Sequence, residues 1–538
     1  MNSGRDINRR EIVRMGAGAA AFGAMAPLVG FPLLQGCQEP NGPPPNIVFI
    51  FSDDHACQAI SAYGSRINQT PNIDRIAREG VIFENSFCSN AICAPSRAVV
   101  LTGKFSHING KIDNRADPFD TSQPTFNKAL RQAGYQTAMI GKWHLRNDPE
   151  GFDYWKVLPG QGHYYNPDFR TPDGDERIEG YVTDIVTDLS LEWLETGRDP
   201  SRPFLLMCQH KAPHRNWMPG PDHLRTFDDR EIPEPETLFD DYANRASPAA
   251  AQEMSIQEHF FPAYDLKITP PDPENEGDIN NWAASFHRLT PEQKEDWDSV
   301  YGPRNEAFQE ASPQGDELTR YYYQRYIKDY LRCIASVDDS VGRVLDYLDR
   351  AGLAENTLII YSSDQGFFLG EHGWYDKRWM YEESLRMPFV ARWPARIPGG
   401  RRVSQMIQNI DYAPTFLEAA GIPIPEDVQG KSLVSLMEGR SQGNWRNSIY
   451  YHYYEYPAVH MVAKHYGVRT ERFKLIHYYE TGEWECFDLE TDPLELKNVY
   501  QDPAFEEVVE TLRRELVRLR AYYGDETGVS PVSAETPV

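Results

Sequence analysis

Positive charge is scarce in this chain: 54 lysines and arginines face 80 aspartates and glutamates over 538 residues, a net charge of −26 at pH 7. That balance excludes a broad basic face, and with it nucleic-acid binding through many phosphate contacts. It also repels a polyanionic polymer unless cations are focused at one place. Cysteine is sparse and odd in number, seven in all, and the spacings match no zinc pattern and give no disulfide framework. Beyond the first 37 residues no apolar run approaches transmembrane length. No internal repeat and no nucleic-acid module is visible. What is present is 40% hydrophobic and 12% aromatic, enough for a large core, in a length that predicts two or more domains.

The N-terminus reads as an address. Asn8-Arg9-Arg10-Glu11-Ile12-Val13-Arg14 precedes a weakly hydrophobic, Gly/Ala-rich run from Met15 to Leu34, the pattern of a twin-arginine export signal. Leu34-Gln35-Gly36-Cys37 has the form of a lipobox, which would make Cys37 a lipidated first residue; a plain cleaved signal or a signal anchor is the alternative. Residues 1–37 are therefore expected to be a signal and 38–45 a Pro-rich tether. The expected location is periplasmic or cell-surface, with the membrane reached through a lipid anchor only. The signal carries four arginines against Asp6 and Glu11, so the exported part is more acidic still, about −28.

Several apolar runs end in residues that carry chemistry. Asn46-Ile47-Val48-Phe49-Ile50-Phe51-Ser52 ends in Asp53 and Asp54, and Thr357-Leu358-Ile359-Ile360-Tyr361-Ser362-Ser363 ends in Asp364 and Gln365. Uninterrupted runs of this kind predict the buried strands of a parallel sheet, whose ligands gather at the carboxyl ends of the strands. Adjacent acids alone would mark a solvated turn; acids from separate strand ends predict a hard cation that shares their oxygens. A third strand ends at Gly141-Lys142-Trp143-His144, which puts Lys142 and His144 on one side of an extended chain. A fourth, Pro203–Cys208, leads into Gln209-His210-Lys211-Ala212-Pro213-His214. Pro213 makes a shared helical face for His210 and His214 improbable, and packing accounts for His210 at least as well as chemistry does. Cys93-Ala94-Pro95-Ser96-Arg97 predicts a loop-to-helix junction suited to an anion, because the first turn offers free N–H groups and Arg97 adds a cation. A buried cysteine at a helix start is the plainer reading.

Cys-x-Pro-Ser-Arg followed by an apolar run and Thr102-Gly103 resembles the signature of the type I sulfatases, within the alkaline phosphatase superfamily. The Gly-Lys-x-His, Ala-Pro-His and Ser-Asp-Gln-Gly segments extend the resemblance over nearly the whole mature chain. It implies that a maturation enzyme oxidises Cys93 to formylglycine, and that Ca2+ is bound by Asp53, Asp54, Asp364, Gln365 and the modified residue 93. Gln365 departs from the Asn or His of many relatives, but an amide oxygen still serves calcium. The resemblance further implies that Lys142 and Lys377 contact the sulfate and Arg97 stabilises its charge. His144 would assist at the formylglycine hydroxyl and His214 at the leaving alcohol, with His372 and Arg378 as substrate-contact candidates.

The implied fold is α/β, an alkaline-phosphatase-like sandwich with a mostly parallel central sheet and a smaller C-terminal α+β subdomain. Its expected limits are 46–440 for the catalytic domain, with an irregular insertion near 215–314, and 441–538 for the C-terminal subdomain. A long helix is predicted from the aromatic cluster at Tyr321 through Arg350, its apolar positions facing the core. The implied activity is hydrolysis of sulfate esters on a sulfated carbohydrate, ulvan-like or glycosaminoglycan-like. A phosphonate or phosphate-ester hydrolase on the same scaffold and a non-enzymatic glycan-binding surface lipoprotein are the alternatives.

Overall fold

Ten strands make the sheet that positions the site. Those in its middle form where apolar residues run without interruption and are buried on both faces, whereas its edge strands are polar and partly or fully exposed. In chain order the ten are Asn46–Ser52 (β1), Val81–Phe83 (β2), Gln136–Lys142 (β3), Tyr154–Leu158 (β4), Asp168–Thr171 (β5), Gly174–Arg177 (β6), Phe204–Gln209 (β7), Thr357–Ser363 (β8), Phe389–Arg392 (β9) and Arg401–Val403 (β10). In this computed structural model, which describes residues 42–115, 117–440 and 443–528, they join one ten-stranded sheet in the order β10-β2-β9-β8-β1-β7-β3-β4-β5-β6. The middle of the sheet, β8-β1-β7-β3-β4, is parallel throughout. β9 runs antiparallel between β8 and β2, and β5 and β6 close the other edge antiparallel. The twin-arginine segment, Cys37 and residues 38–41 of the expected tether lie outside the described residues. No helix among the described residues is long and apolar enough to cross a membrane.

The predicted long helix spans Gly315–Arg350 and packs against the helices Val182–Glu192 and Pro71–Glu79. Ile327, Leu331, Ile334, Val337, Val341, Val344, Leu345 and Leu348 are all fully buried. Each such side chain contributes about 1.5–3 kcal/mol by leaving water, whereas an exposed ion pair such as Arg343 with Asp188 contributes about 0–1 kcal/mol. Packing, not surface charge, therefore fixes this helix. Tyr323, Tyr326 and Tyr330 at its start are core residues.

The stretch expected to be irregular holds two substantial helices, Glu276–Phe286 and Pro291–Ala311. The second begins in a capping box between Thr290 and Gln293 with Pro291 in its first turn. Its buried face is thin, Trp297, Val300, Tyr301 and Asn305, and Pro303 lies inside it, so its apolar period is weak in sequence. At the C-terminal end Ser448–Tyr453 (β11), His465–Thr470 (β12), Phe473–Tyr478 (β13) and Glu483–Asp488 (β14) form an antiparallel sheet, followed by the helix Glu506–Tyr523. That unit packs behind the helix of Cys93: Val99 and Phe105 share a core with Tyr450, Val468, Leu475, Leu512 and Leu516. β11 also reaches the loop before Cys93, where the His452 amide donates to the Ser89 carbonyl and the Ala91 amide to the Tyr451 hydroxyl.

Candidate active site

The carboxyl ends of β8, β1, β7 and β3 converge on the start of the helix Cys93–Thr102. Asp53 and Asp54 follow β1, Asp364 and Gln365 follow β8, Lys142 closes β3, and His214 lies on the loop after β7. Carboxylate oxygens of Asp53, Asp54 and Asp364 lie within 4.8 Å of one another; a second set at the same spacing is an Asp53 oxygen, the Cys93 thiol and His214. All three carboxylates are fully buried. Asp54 adopts a left-handed backbone, φ 68°, unusual for a residue with a side chain, and its N–H donates to Asp364 Oδ1 at 3.1 Å. Tyr330 braces this turn, donating to the Asp54 carbonyl (2.7 Å) and accepting from the Ala56 N–H (2.9 Å).

Cations from three elements balance the acids. Lys142 Nζ is paired with Asp53, and Lys377 Nζ with Asp54 Oδ2 at 2.7 Å. Arg97 reaches Asp364 Oδ2 at 3.1 Å through Nε and Nη2, and its Nη1 donates to the Lys142 carbonyl (2.8 Å) and to Gln209 Oε1 (2.6 Å). Those contacts engage Arg97 on the protein, so it ties the helix of Cys93 to the acidic cage. Burial pushes Asp54 up to about 7, with Lys377 opposing and Asp364 and Asp376 reinforcing the shift. Burial would depress Lys377, but Asp54, Cys93 and Asp376 hold it above the usual lysine range. Burial also lifts the Cys93 thiol to about 12.

Both histidines are held well below the usual histidine range, by burial first and then by Lys142 and its neighbouring cations. His214 Nδ1 donates to the Arg215 carbonyl at 2.7 Å, which turns Nε2 toward Asp54 Oδ2, 3.8 Å away. His144 has φ 60° and lines the cleft beside it. That cleft, about 620 Å³, also takes in Gln161, Lys377, Arg378, Glu455 and His460. A cavity of similar size among Tyr63, Tyr323, Glu371 and Glu383 holds none of the cage residues.

Of the two substrate-contact candidates the structure brings one to the cleft. Arg378 lines it, 3.0 Å from Asp376. His372 does not: it is fully buried, its Nδ1 2.8 Å from Asp240 and its backbone N–H donating to Thr237, so it secures the loop behind the site. His210 is buried against Ser340, a packing role. Sequence reasoning missed Gln209, which anchors Arg97, and Gln161, which accepts from Lys142. It also missed Asp376 and His460, paired at 3.3 Å on the cleft wall. No local pattern shows which distant side chains such polar residues will meet.

The sulfatase family profile matches residues 45–422, and a second, for the C-terminal part of N-sulphoglucosamine sulphohydrolase, matches residues 370–522. The chain belongs to the sulfatase family. This sulfatase is 47% identical to an N-acetylglucosamine-6-O-sulfatase of Bacteroides thetaiotaomicron, over 89% of its own length and 87% of the relative's. A solved structure described as a complex with its substrate D-glucosamine-2-N,6-O-disulfate superposes with a TM-score of 0.87 at 46% identity, covering 90% of this sulfatase and 99% of that chain. The phosphonate monoester hydrolase of Agrobacterium radiobacter shares the fold alone, with a TM-score of 0.66 at 21% identity over 89% and 96% of the two chains. The sulfatase thus has the alkaline-phosphatase-like α/β architecture and is a sulfuric ester hydrolase.

The cage fits a hard dication. Asp53 Oδ1 and Gln365 Oε1 are buried acceptors without a hydrogen-bond partner, and a donor set of carboxylate and amide oxygens is the chemistry calcium takes. Three cations already offset the three carboxylates, so a bound dication leaves the site positive, as an anionic ester requires.

Proposed function

We propose that the protein hydrolyses the 6-O-sulfate ester of glucosamine or N-acetylglucosamine, on a glycosaminoglycan-derived sugar rather than an ulvan-like one. The observation that carries this reading is the 47% identity, over nearly the whole of both chains, to a sulfatase named for that position. Asp53, Asp54, Asp364 and Gln365 would hold calcium, and Cys93 would be converted to formylglycine by a maturation enzyme. When present, calcium supplies positive charge to the bound oxygens, and hydrated formylglycine supplies a hydroxyl nucleophile in place of the encoded thiol.

The residues around that centre do the rest. Lys142 and Lys377 sit where they can offset charge on the sulfuryl oxygens. Arg97 holds Asp364, the Lys142 carbonyl and Gln209 in one network, which keeps the cage and the helix of residue 93 in fixed relation. His214 faces the centre through Nε2; a sulfate ester brings negative charge beside it and so favours the imidazolium that a leaving-group acid needs. The paired arginines and the Leu34–Cys37 segment support twin-arginine export and a lipid anchor, testable by the mass of the mature N-terminus.

Turnover of 6-O-, 4-O-, 3-O- and 2-O-sulfated glucosamines and of glucosamine 6-phosphate tests the reading. The 6-O-sulfate should be preferred by at least ~100-fold in kcat/KM, about 2.7 kcal/mol of discrimination. Preference for another position, or for the phosphate, would overturn it.

A further inference from the structure

Beside the reaction centre lies a second cavity of about 220 Å³, sharing Pro159, Gln161, His214 and Arg215 with the main cleft. Its remaining polar lining includes His163, Lys211, Asn216, Asn281 and Ser285 with two tyrosines, and no aspartate or glutamate lines it. In a chain with a net charge of −26, a polar cavity free of carboxylates selects for a negative guest.

Lys211 is the charge inside it. The side chain is 3% exposed, its ammonium donates to the Arg215 carbonyl at 3.3 Å, and it lies 4.8 Å from the centroid of the Tyr164 ring. Among the described residues no carboxylate pairs with it within 4.0 Å. Arg215, the other cation on the wall, is neutralised by two hydrogen bonds to Asp265 at 2.7 and 2.6 Å. The strongest counter-charge acting on Lys211 is the Asp54 carboxylate of the cage, beyond ion-pairing distance; a buried ammonium with a single carbonyl hydrogen-bond partner is costly unless a closer counter-charge reaches it. Asn216, which donates to the Ser285 hydroxyl at 3.3 Å, and Asn281, which donates to the Gly277 carbonyl at 2.8 Å, each keep a second amide N–H, and Ser285 its O–H, around the same space.

We propose that this cavity is a second oxyanion site that takes a sulfate-sized anion on Lys211, next to the hydrolytic centre. Two sources share that chemistry. One is the inorganic sulfate that the sulfatase releases; the other, which rests on the glucosamine reading above, is a second sulfate group carried by the same sugar.

Sodium sulfate titrated into the mature, calcium-loaded enzyme at constant ionic strength should fill two sites per chain. Lys211→Met should retain one and Lys211→Arg two. Ser285→Leu, which fills the cavity without touching a charge, should also retain one and covers the case in which Lys211→Met does not fold. A single site in the wild-type enzyme, or two in Ser285→Leu, overturns the proposal whichever sulfate ester the enzyme cleaves, so that failure is distinct from failure of the glucosamine reading. Kinetics then separate the sources. If the guest is a second substrate sulfate, KM for glucosamine 2-N,6-O-disulfate rises at least tenfold in Ser285→Leu while KM for N-acetylglucosamine 6-sulfate holds. If it is released sulfate, both KM values hold, and inhibition by sulfate changes from mixed to competitive.

Discussion

His214 and Lys142 stand on opposite sides of the same chemistry, and their substitutions should separate it. If His214 Nε2 protonates the departing oxygen, His214→Ala should cost about 10²–10⁴-fold in kcat/KM on a sugar sulfate. It should cost far less on an activated aryl sulfate, whose leaving group is already a stable anion. Lys142→Ala should weaken both substrates alike, because the sulfuryl group is common to them. Equal losses for His214→Ala on the two would assign it to positioning instead. Asp53, Asp54, Asp364 and Lys142 are legible in the sequence because each closes or follows an uninterrupted apolar strand, and strand order then places them together. The role of Arg97 is only half legible: its sequence position gives a cation one turn into a helix, whereas its engagement by Asp364, Gln209 and the Lys142 carbonyl depends on strands far apart in the chain. His372 misleads for the same reason, since Asp240, which binds it, comes from the insertion.

At the level of elements, the cage depends on residues that supply none of its charged groups. Gly141 has φ 102°, and a Cβ there would meet the Gln209 carbonyl oxygen at 1.9 Å, so the glycine lets β3 approach β7 where Lys142 is delivered. The long helix contributes Tyr330 behind Asp54. Tyr330→Phe removes only the oxygen that bridges Asp54 and Ala56 and should cost about 1 kcal/mol. Calcium affinity, read by titration, should fall several-fold, with activity recovering at raised calcium; unchanged affinity would show that the turn holds itself. The residue just before Tyr330 in that helix, Asp329, is 1% exposed, with Lys267 at 3.1 Å and Arg332 at 2.7 Å.

Asp329 falls from the usual 3.8 to about 2: burial opposes the change, and Lys267 and Arg332 overcome it. Its folded-state value is depressed, so its contribution is full above pH ~4 and is lost as pH falls through about 2. Asp329→Asn should destabilise the protein by about 3 kcal/mol at neutral pH, because Lys267 is left buried without its acid. Denaturant unfolding of both proteins should show that gap closing between pH 4 and 2; a gap independent of pH would place the loss in packing. The helix itself is plain in the sequence from its apolar period. The helix Pro291–Ala311 is not, because its buried face is too narrow to register against its polar residues.

Over the whole molecule, the acidity that disfavours nucleic acid also bears on polymeric substrates. Cations gather at the cleft while the net charge stays at −26, so a long sulfated chain meets repulsion that a single sugar scarcely feels. Raising salt from ~0.02 to ~0.15 M shortens the screening length to about 8 Å. It should increase kcat/KM on a sulfated oligosaccharide while leaving the monosaccharide nearly unchanged; a fall for the oligosaccharide would mean that the local cations dominate at long range. The change from a mostly parallel sheet to a four-stranded antiparallel one after residue 440 is visible in the sequence as a change from uninterrupted apolar runs to alternating ones. The shared core of Val99, Phe105 and the C-terminal sheet is not, because no local pattern encodes which faces meet.

Every proposed catalytic role turns on what residue 93 becomes. Mass analysis of the peptide spanning Cys93, taken from a preparation of measured specific activity, tests it most directly. Formylglycine or its hydrate should be present at position 93 in proportion to activity across preparations made with and without the maturation enzyme. Full activity in a preparation whose residue 93 is entirely thiol would contradict it.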